Sequence, residues 1–225
     1  MSRAPGASTD GMGWPSVAQD DTISNMLNRR RRNNPGLNRV ESRIFRLAKT
    51  YLHARDNEVH TRNVIEFAFR LLDFHEADRA VVIPASILHD VGWSIVAEDI
   101  IKRACRPRPD MALVRIHEEE SVRIASEILR EINYDGPRAT EILKIIDGHD
   151  TRMNALSMND RIVKDSDKLT RYADNFWYWT RQLSLAPEEL ARSLEQSIDA
   201  WFFLPQSAEM AKAELARRRA EAVGG

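Results

Sequence analysis

The chain has one cysteine among its 225 residues, Cys105, so it cannot form an internal disulfide. A reducing cytoplasm is the simplest compartment for such a chain. The surroundings of that thiol, "KRACRPRP", carry no catalytic cysteine motif. No apolar run approaches the ~18 residues that a membrane span needs. The start, "MSRAPGASTDGMGWPS", has no apolar middle of the kind a secretory signal carries. An excess of charge of either sign is also absent, since 33 Lys and Arg meet 34 Asp and Glu. Global charge therefore points to neither nucleic acid nor a membrane surface. Alternating apolar and polar stretches of any length are missing, and so is an internal repeat. What remains is helical periodicity, and the expected fold class is all-α.

The chain divides by composition. Residues 1–36 are rich in Gly, Pro, Ser, Asn and Asp and read as a flexible N-terminal arm, in which "TISNMLN" suits a short helix. The basic run Arg29–Arg32 within it reads as a solvated tail rather than a nucleic-acid contact. Residues 37–180 read as a helical core and 181–225 as a C-terminal helical extension. "RVESRIFRLAKTYLHAR" and "HTRNVIEFAFRLLDF" repeat apolar residues in steps of three and four. "EADRAVVIPASILHDVG" is apolar on nearly every side and so central, with Pro84 near its first turns and Gly92 placed as a helix end. Further helices are expected over about 111–132, in "RATEILKIIDGHD", and in three later segments ending at "SAEMAKAELARRRAEAV". The aromatic cluster Phe176–Trp179 reads as packing surface, and "AWFFL" either packs on the chain's own core or makes a homodimer.

Against this apolar framework six polar groups stand where helices begin or end. They are His60, the doublet His89-Asp90 in "SILHDVGWSI", His117, His149 and Asp167. Burying carboxylates without a metal or a paired charge is costly, and imidazole with carboxylate is the ligand mixture of Zn, Mn and non-haem Fe. Four His and two Asp suffice for two ions with a carboxylate between them.

In that order, "HTRNVIEFAFRLL", "ILHDVG" and "IVKDSDKL" resemble the first, second and last motifs of the HD-domain superfamily of metal-dependent phosphohydrolases. "IHEEESVRIASEIL" and "IIDGHD" are similar to the two further histidine motifs of members that hold a second metal. The likeness covers about residues 40 to 175. It implies a compact HD-domain helical bundle with extra C-terminal helices. It also implies one or two divalent ions per chain (Fe, Mn, Zn, Co or Mg) on His60, His89, Asp90, His117, His149 and Asp167, with Asp90 bridging. Two departures stand out. Many hydrolase members place Lys after the glycine of the doublet motif, where this chain has Trp93, and Asp165 competes with Asp167 for the last ligand position.

The activity implied is hydrolysis of a phosphate ester of a nucleotide or small phosphorylated metabolite by metal-activated water. Asp90, Asp150, Lys168 and Arg55 are the candidate catalytic residues, and Trp93, Lys164 and Arg171 the candidate substrate contacts. For Arg55 a helix-surface ion pair is the bland alternative, and for the cations beside Asp167 an ordinary helix surface. Asp150 either orients an imidazole or accepts a proton. His53 and His75 match no motif and read as surface residues. Two rival functions use the same residues: a di-iron oxygenase, and a ligand-sensing domain with a vestigial site.

Overall fold

Asn38 opens the first helix with a capping box, accepting from the N–H groups of Val40 and Glu41 while its own N–H donates to Glu41 at 2.7 Å. The computed structural model describes residues 36–104, 110–173 and 175–224. The arginine run 29–32, the "TISNMLN" segment and Cys105 lie outside the described residues. The helices are α1 (Arg39–Ala48), α2 (Asn57–Leu72), α3 (Arg79–Leu88), α4 (Glu98–Ala104) and α5 (Met111–Glu131). They continue with α6 (Gly136–Ile146), α7 (Met158–Leu169), α8 (Phe176–Leu183), α9 (Pro187–Trp201) and α10 (Pro205–Gly224). Among the described residues there is no strand, so the fold is all-α. No helix among them is long and apolar enough to cross a membrane.

The expectation of a central helix holds for α3. Residues 81–88 are all buried, and α3 packs against α1, α2, α6 and α7. Pro84 lies inside this helix and cannot donate to the carbonyl of Ala80, four residues back. The hydroxyl of Tyr134 donates to that carbonyl instead, so the missing hydrogen bond is replaced from another element.

Several boundaries differ from the sequence reading, and each difference bears on the site. The central helix stops at Leu88, and residues 91–95 form a 3-10 turn laid against α5. Gly92 serves close approach there rather than a helix end. A Cβ at this position would stand 2.2 Å from the carbonyl oxygen of His117 and 2.5 Å from the amide of Ser121. Helix α6 ends at Ile146, three residues before His149. Gly148, at φ +96°, turns the chain so that His149 leaves the helix axis. The expected helix across 161–183 breaks between 169 and 176, and α4 was not expected at all.

The C-terminal helices dock on α7 through α10 and through a set of hydrogen bonds. Asp165 accepts from the backbone N–H groups of Phe203 and Leu204, Lys168 Nζ donates to the carbonyl of Trp201, and the Tyr172 hydroxyl donates to that of Leu194. Burial pushes the Asp165 carboxyl up to about 6, against those donated hydrogen bonds. The "AWFFL" segment packs on its own core, where the rings of Trp201 and Phe202 lie 6.4 and 5.5 Å from that of Tyr172.

Candidate metal centre

The doublet His89-Asp90 sits where α3 gives way to the 3-10 turn, both residues buried. Asn57 donates to the Asp90 carbonyl at 2.9 Å, and Ser121 Oγ accepts the amide of Gly92 at 2.8 Å. These bonds fix the turn between α2 and α5, and the doublet with it.

Two groups of side chains converge on the Asp90 carboxylate from opposite ends. His60 Nε2 and His89 Nε2 lie 3.1 Å apart and stand 3.4 and 3.6 Å from Asp90 Oδ2. Asp167 Oδ1 faces the same two nitrogens at 3.2 and 3.8 Å. At the other oxygen, His117 Nε2 and His149 Nε2 lie 3.3 Å apart and stand 3.4 and 3.3 Å from Asp90 Oδ1. Asp150 Oδ2 faces this second pair at 3.7 and 3.9 Å. Donor atoms at about 2.1 Å from one tetrahedral ion are separated by about 3.4 Å. Both groups match that spacing, so His60, His89 and Asp90 could hold one ion and Asp90, His117 and His149 another.

The ring tautomers support the same use. A carbonyl can only accept, so His89 Nδ1 donates to Ser86 at 2.9 Å and His149 Nδ1 to Ile146 at 3.0 Å. The Thr170 hydroxyl spends its hydrogen on the carbonyl of Asp167 and faces His60 Nδ1 at 3.4 Å, and the Asn175 amide nitrogen approaches the same Nδ1 at 3.3 Å. His89, donating from Nδ1, turns its Nε2 lone pair to the 3.1 Å gap before His60 Nε2, a place where a cation could be held.

The electrostatics follow from burial and pairing. Burial works against ionisation of Asp90, but His89, His117, His149 and His60 hold its carboxyl well below the ordinary range. Burial opposes ionisation of Asp167 too, and His60 and His89 hold it low. Burial pushes the His89 imidazole down, with Asp90 opposing. Burial also opposes a charge on His149, yet Asp90, Asp150 and Glu118 raise it to about 10.

Residues 165 and 167 are two apart on α7, hence about 200° apart around the helix. Asp165 points to the C-terminal helices and Asp167 to the histidines. His53 is exposed and His75 half-buried, both apart from this centre.

Beside the centre lies a cavity of about 640 Å³ that His149, Asp150 and Trp93 help to line. Arg55, Lys168 and Arg171 line it, as does Arg152, which the sequence reading had not singled out. Arg55 and Asp56 both adopt left-handed backbone angles (φ 56° and 55°) just before α2. This strained turn sets the Arg55 guanidinium 4.9 Å above the Trp93 ring, with its buried Nε lacking a hydrogen-bond partner among the described residues. A helix-surface ion pair for Arg55 is thereby replaced by a cation beside the centre.

Two expected substrate contacts change character. Trp93 is only 3% exposed, stacks on His117 at 4.0 Å and donates to Asp90 Oδ1 at 3.2 Å, so its ring is not free to stack on a base. It positions the ligands. Lys164 is buried and gives its three N–H bonds to the carbonyls of Gly148, His149 and Arg152, so no donor remains for a substrate. It holds the turn that carries His149. Glu118, which the sequence reading passed over, shares that task. Wholly buried, it accepts from the amides of Asp150 and Thr151 at 2.8 and 2.9 Å, and from the Thr151 hydroxyl at 2.6 Å. Its position on the stripe Val114, His117, Glu118, Ser121, Ile124, Ala125 is the signal that would have found it.

No curated protein and no solved structure matches this chain. A family model described as HD domain matches residues 58–172, just over half of the chain, running from the first turn of α2 past the end of α7. That span contains all six of the converging ligand candidates. The chain belongs to the HD domain family, and with it to a superfamily of metal-dependent phosphohydrolase type.

Proposed function

We propose that this protein hydrolyses a phosphoric ester, of a nucleotide or another small phosphorylated metabolite, at the Asp90 centre. The observation that carries the reading is the pairing of that centre with a cation-lined cavity sharing His149, Asp150 and Trp93. Divalent ions held by His60, His89, Asp90 and Asp167, and by Asp90, His117 and His149, would supply Lewis-acid charge and acidify a water. The chain's own residues supply the rest. Arg55, Lys168 and Arg171 would face the phosphoryl oxygens and offset the charge that develops on them. Asp150 Oδ2 borders both the cavity and the second histidine pair, a position suited to taking the proton of the attacking water. The lysine that many hydrolase relatives carry at position 93 has a counterpart here in Arg55, whose guanidinium lies over the tryptophan.

The test is turnover of a broad panel of phosphoric esters by protein loaded with Mn²⁺ or Fe²⁺. Release of inorganic phosphate supports the reading. Absence of release under both metals rules it out, and a mixed-valent di-iron spectrum with O₂ consumption would move the chain to the oxygenase chemistry.

A further inference from the structure

The C-terminal extension, outside the matched family span, builds the far wall of the cavity. Trp179 of α8, Leu190, Leu194 and Trp201 of α9, and Phe202 and Phe203 after it all line the space. Trp179, Trp201 and Phe202 are half-buried and keep part of their rings on the cavity, where Arg171 lies 5.2 Å over the Trp201 ring and Lys168 Nζ 5.3 Å over that of Phe203. The polar side-chain groups of this wall are the hydroxyls of Ser193 and Ser197 and the indole N–H groups of Trp179 and Trp201. Arg152 is already engaged by Asp160 and by backbone carbonyls. The cavity thus joins cations, two of them over the rings of Phe203 and Trp201, to an otherwise apolar lining from α8 and α9.

We propose that the natural substrate is a phosphoric ester whose alcohol part is a large apolar group, alkyl or aryl, rather than a sugar or nucleoside. This rests on the phosphohydrolase reading for the phosphate end and on the cavity wall for the other. A sugar would desolvate several hydroxyls against leucine and tryptophan with two serines and two indole N–H groups to answer them. A nucleobase would find ring faces to stack on, but few side-chain donors or acceptors for its edge. An alkyl or aryl group loses nothing polar there, and each methylene removed from water strengthens binding. The volume suits it, because a cavity of about 640 Å³ is within the range of sites that enclose most of a small organic ligand.

The experiment measures binding and turnover separately. Metal-loaded protein is titrated calorimetrically with butylphosphonate, octylphosphonate and ribose 5-phosphate, and assayed for phosphate release from the matching alkyl phosphates and from nucleoside monophosphates. Four added methylenes, at about two- to fourfold each, should tighten octylphosphonate over butylphosphonate by roughly fifteen- to two-hundred-and-fifty-fold. Trp179→Ala should flatten that chain-length dependence. Equal affinity for the two phosphonates, or tighter binding of ribose 5-phosphate than of octylphosphonate, overturns the proposal. If affinity climbs with chain length but no ester is cleaved, the wall binds an apolar group, while the hydrolase reading falls and with it the ester as substrate. If esters are cleaved at rates indifferent to their apolar part, the hydrolase reading stands and this one falls. The wild-type chain-length series decides the matter even if the tryptophan variant folds poorly.

Discussion

Replacing Glu118 by glutamine changes one atom in a residue that touches neither the cavity nor any ligand candidate's ring, yet the structure makes a specific demand on it. Oε1 receives the amides of Asp150 and Thr151, and Oε2 receives the Thr151 hydroxyl and Arg115 Nη1. Burial works against its ionisation, but His149 and the groups donating from Thr151 and Asp150 hold the carboxyl below its ordinary value. In Glu118→Gln the amide oxygen keeps the two backbone donors. The new NH₂ meets a hydroxyl that can turn to accept, and a guanidinium that cannot. One bond is lost and three fall from charge-assisted to neutral strength, a destabilisation of about 2 kcal/mol. For a chain of this size that lowers Tm by roughly 4–8 °C. The loss is local to the turn bearing His149 and Asp150. Affinity at the His117–His149 group should therefore fall about ten- to a hundredfold, while the His60–His89–Asp167 group keeps its affinity. Calorimetric titration of metal-free protein with Mn²⁺ resolves the two. Equal weakening of both groups, or of neither, would refute the reasoning that ties Glu118 to one half of the centre.

Gly92→Ala forces a Cβ to within 2.2 Å of a backbone oxygen, so the 91–95 turn must lift from α5; a loss of more than about 3 kcal/mol is expected in denaturant unfolding. Arg55→Gly relieves a left-handed non-glycine residue, so Tm should hold or rise while kcat/KM for a phosphoric ester drops at least about tenfold. A drop in Tm with unchanged kcat/KM would show that the strain serves packing alone. In metal-free protein His149, raised to about 10, binds its proton more tightly folded than unfolded. The stability it contributes is full below about 6.5 and is lost as pH rises through about 10. Metal binding at its group should then release a proton near pH 7, whereas His89, pushed down by burial, should release none. Titrations in buffers of different ionisation enthalpy read this directly, and equal proton release at both groups would contradict it.

The sequence made the ligand set legible because each ligand is locally anchored. His60 stands in the first turn of an amphipathic helix, His89 and Asp90 end the one helix apolar on all sides, and Asp167 lies opposite Asp165 on a helix whose two faces differ. The helical order was legible for the same reason: three- and four-residue spacing survives wherever one face is buried. What stayed hidden was tertiary. Nothing local marks Gly92 as a contact with α5, Tyr134 as the donor that Pro84 lacks, or Lys164 as a cap on carbonyls twelve to sixteen residues away. The cavity wall is hidden in the same way. Trp179 and Trp201 carry the signature of packing residues, and only the docking of α8 and α9 decides that part of each ring faces the space beside Asp150. Glu118 is an intermediate case, visible as a carboxylate on an apolar stripe, though not as the partner of the turn after α6.

The central claim is that one carboxylate, Asp90, joins two metal-binding groups through its two oxygens. Equilibrium dialysis of the wild type and Asp90→Ala against Mn²⁺, followed by elemental analysis, tests it most directly. The account predicts two ions per chain in the wild type and fewer than one in the variant, with helical content retained by circular dichroism. A wild type that binds at most one ion, or a folded Asp90→Ala that binds as many as the wild type, would contradict it.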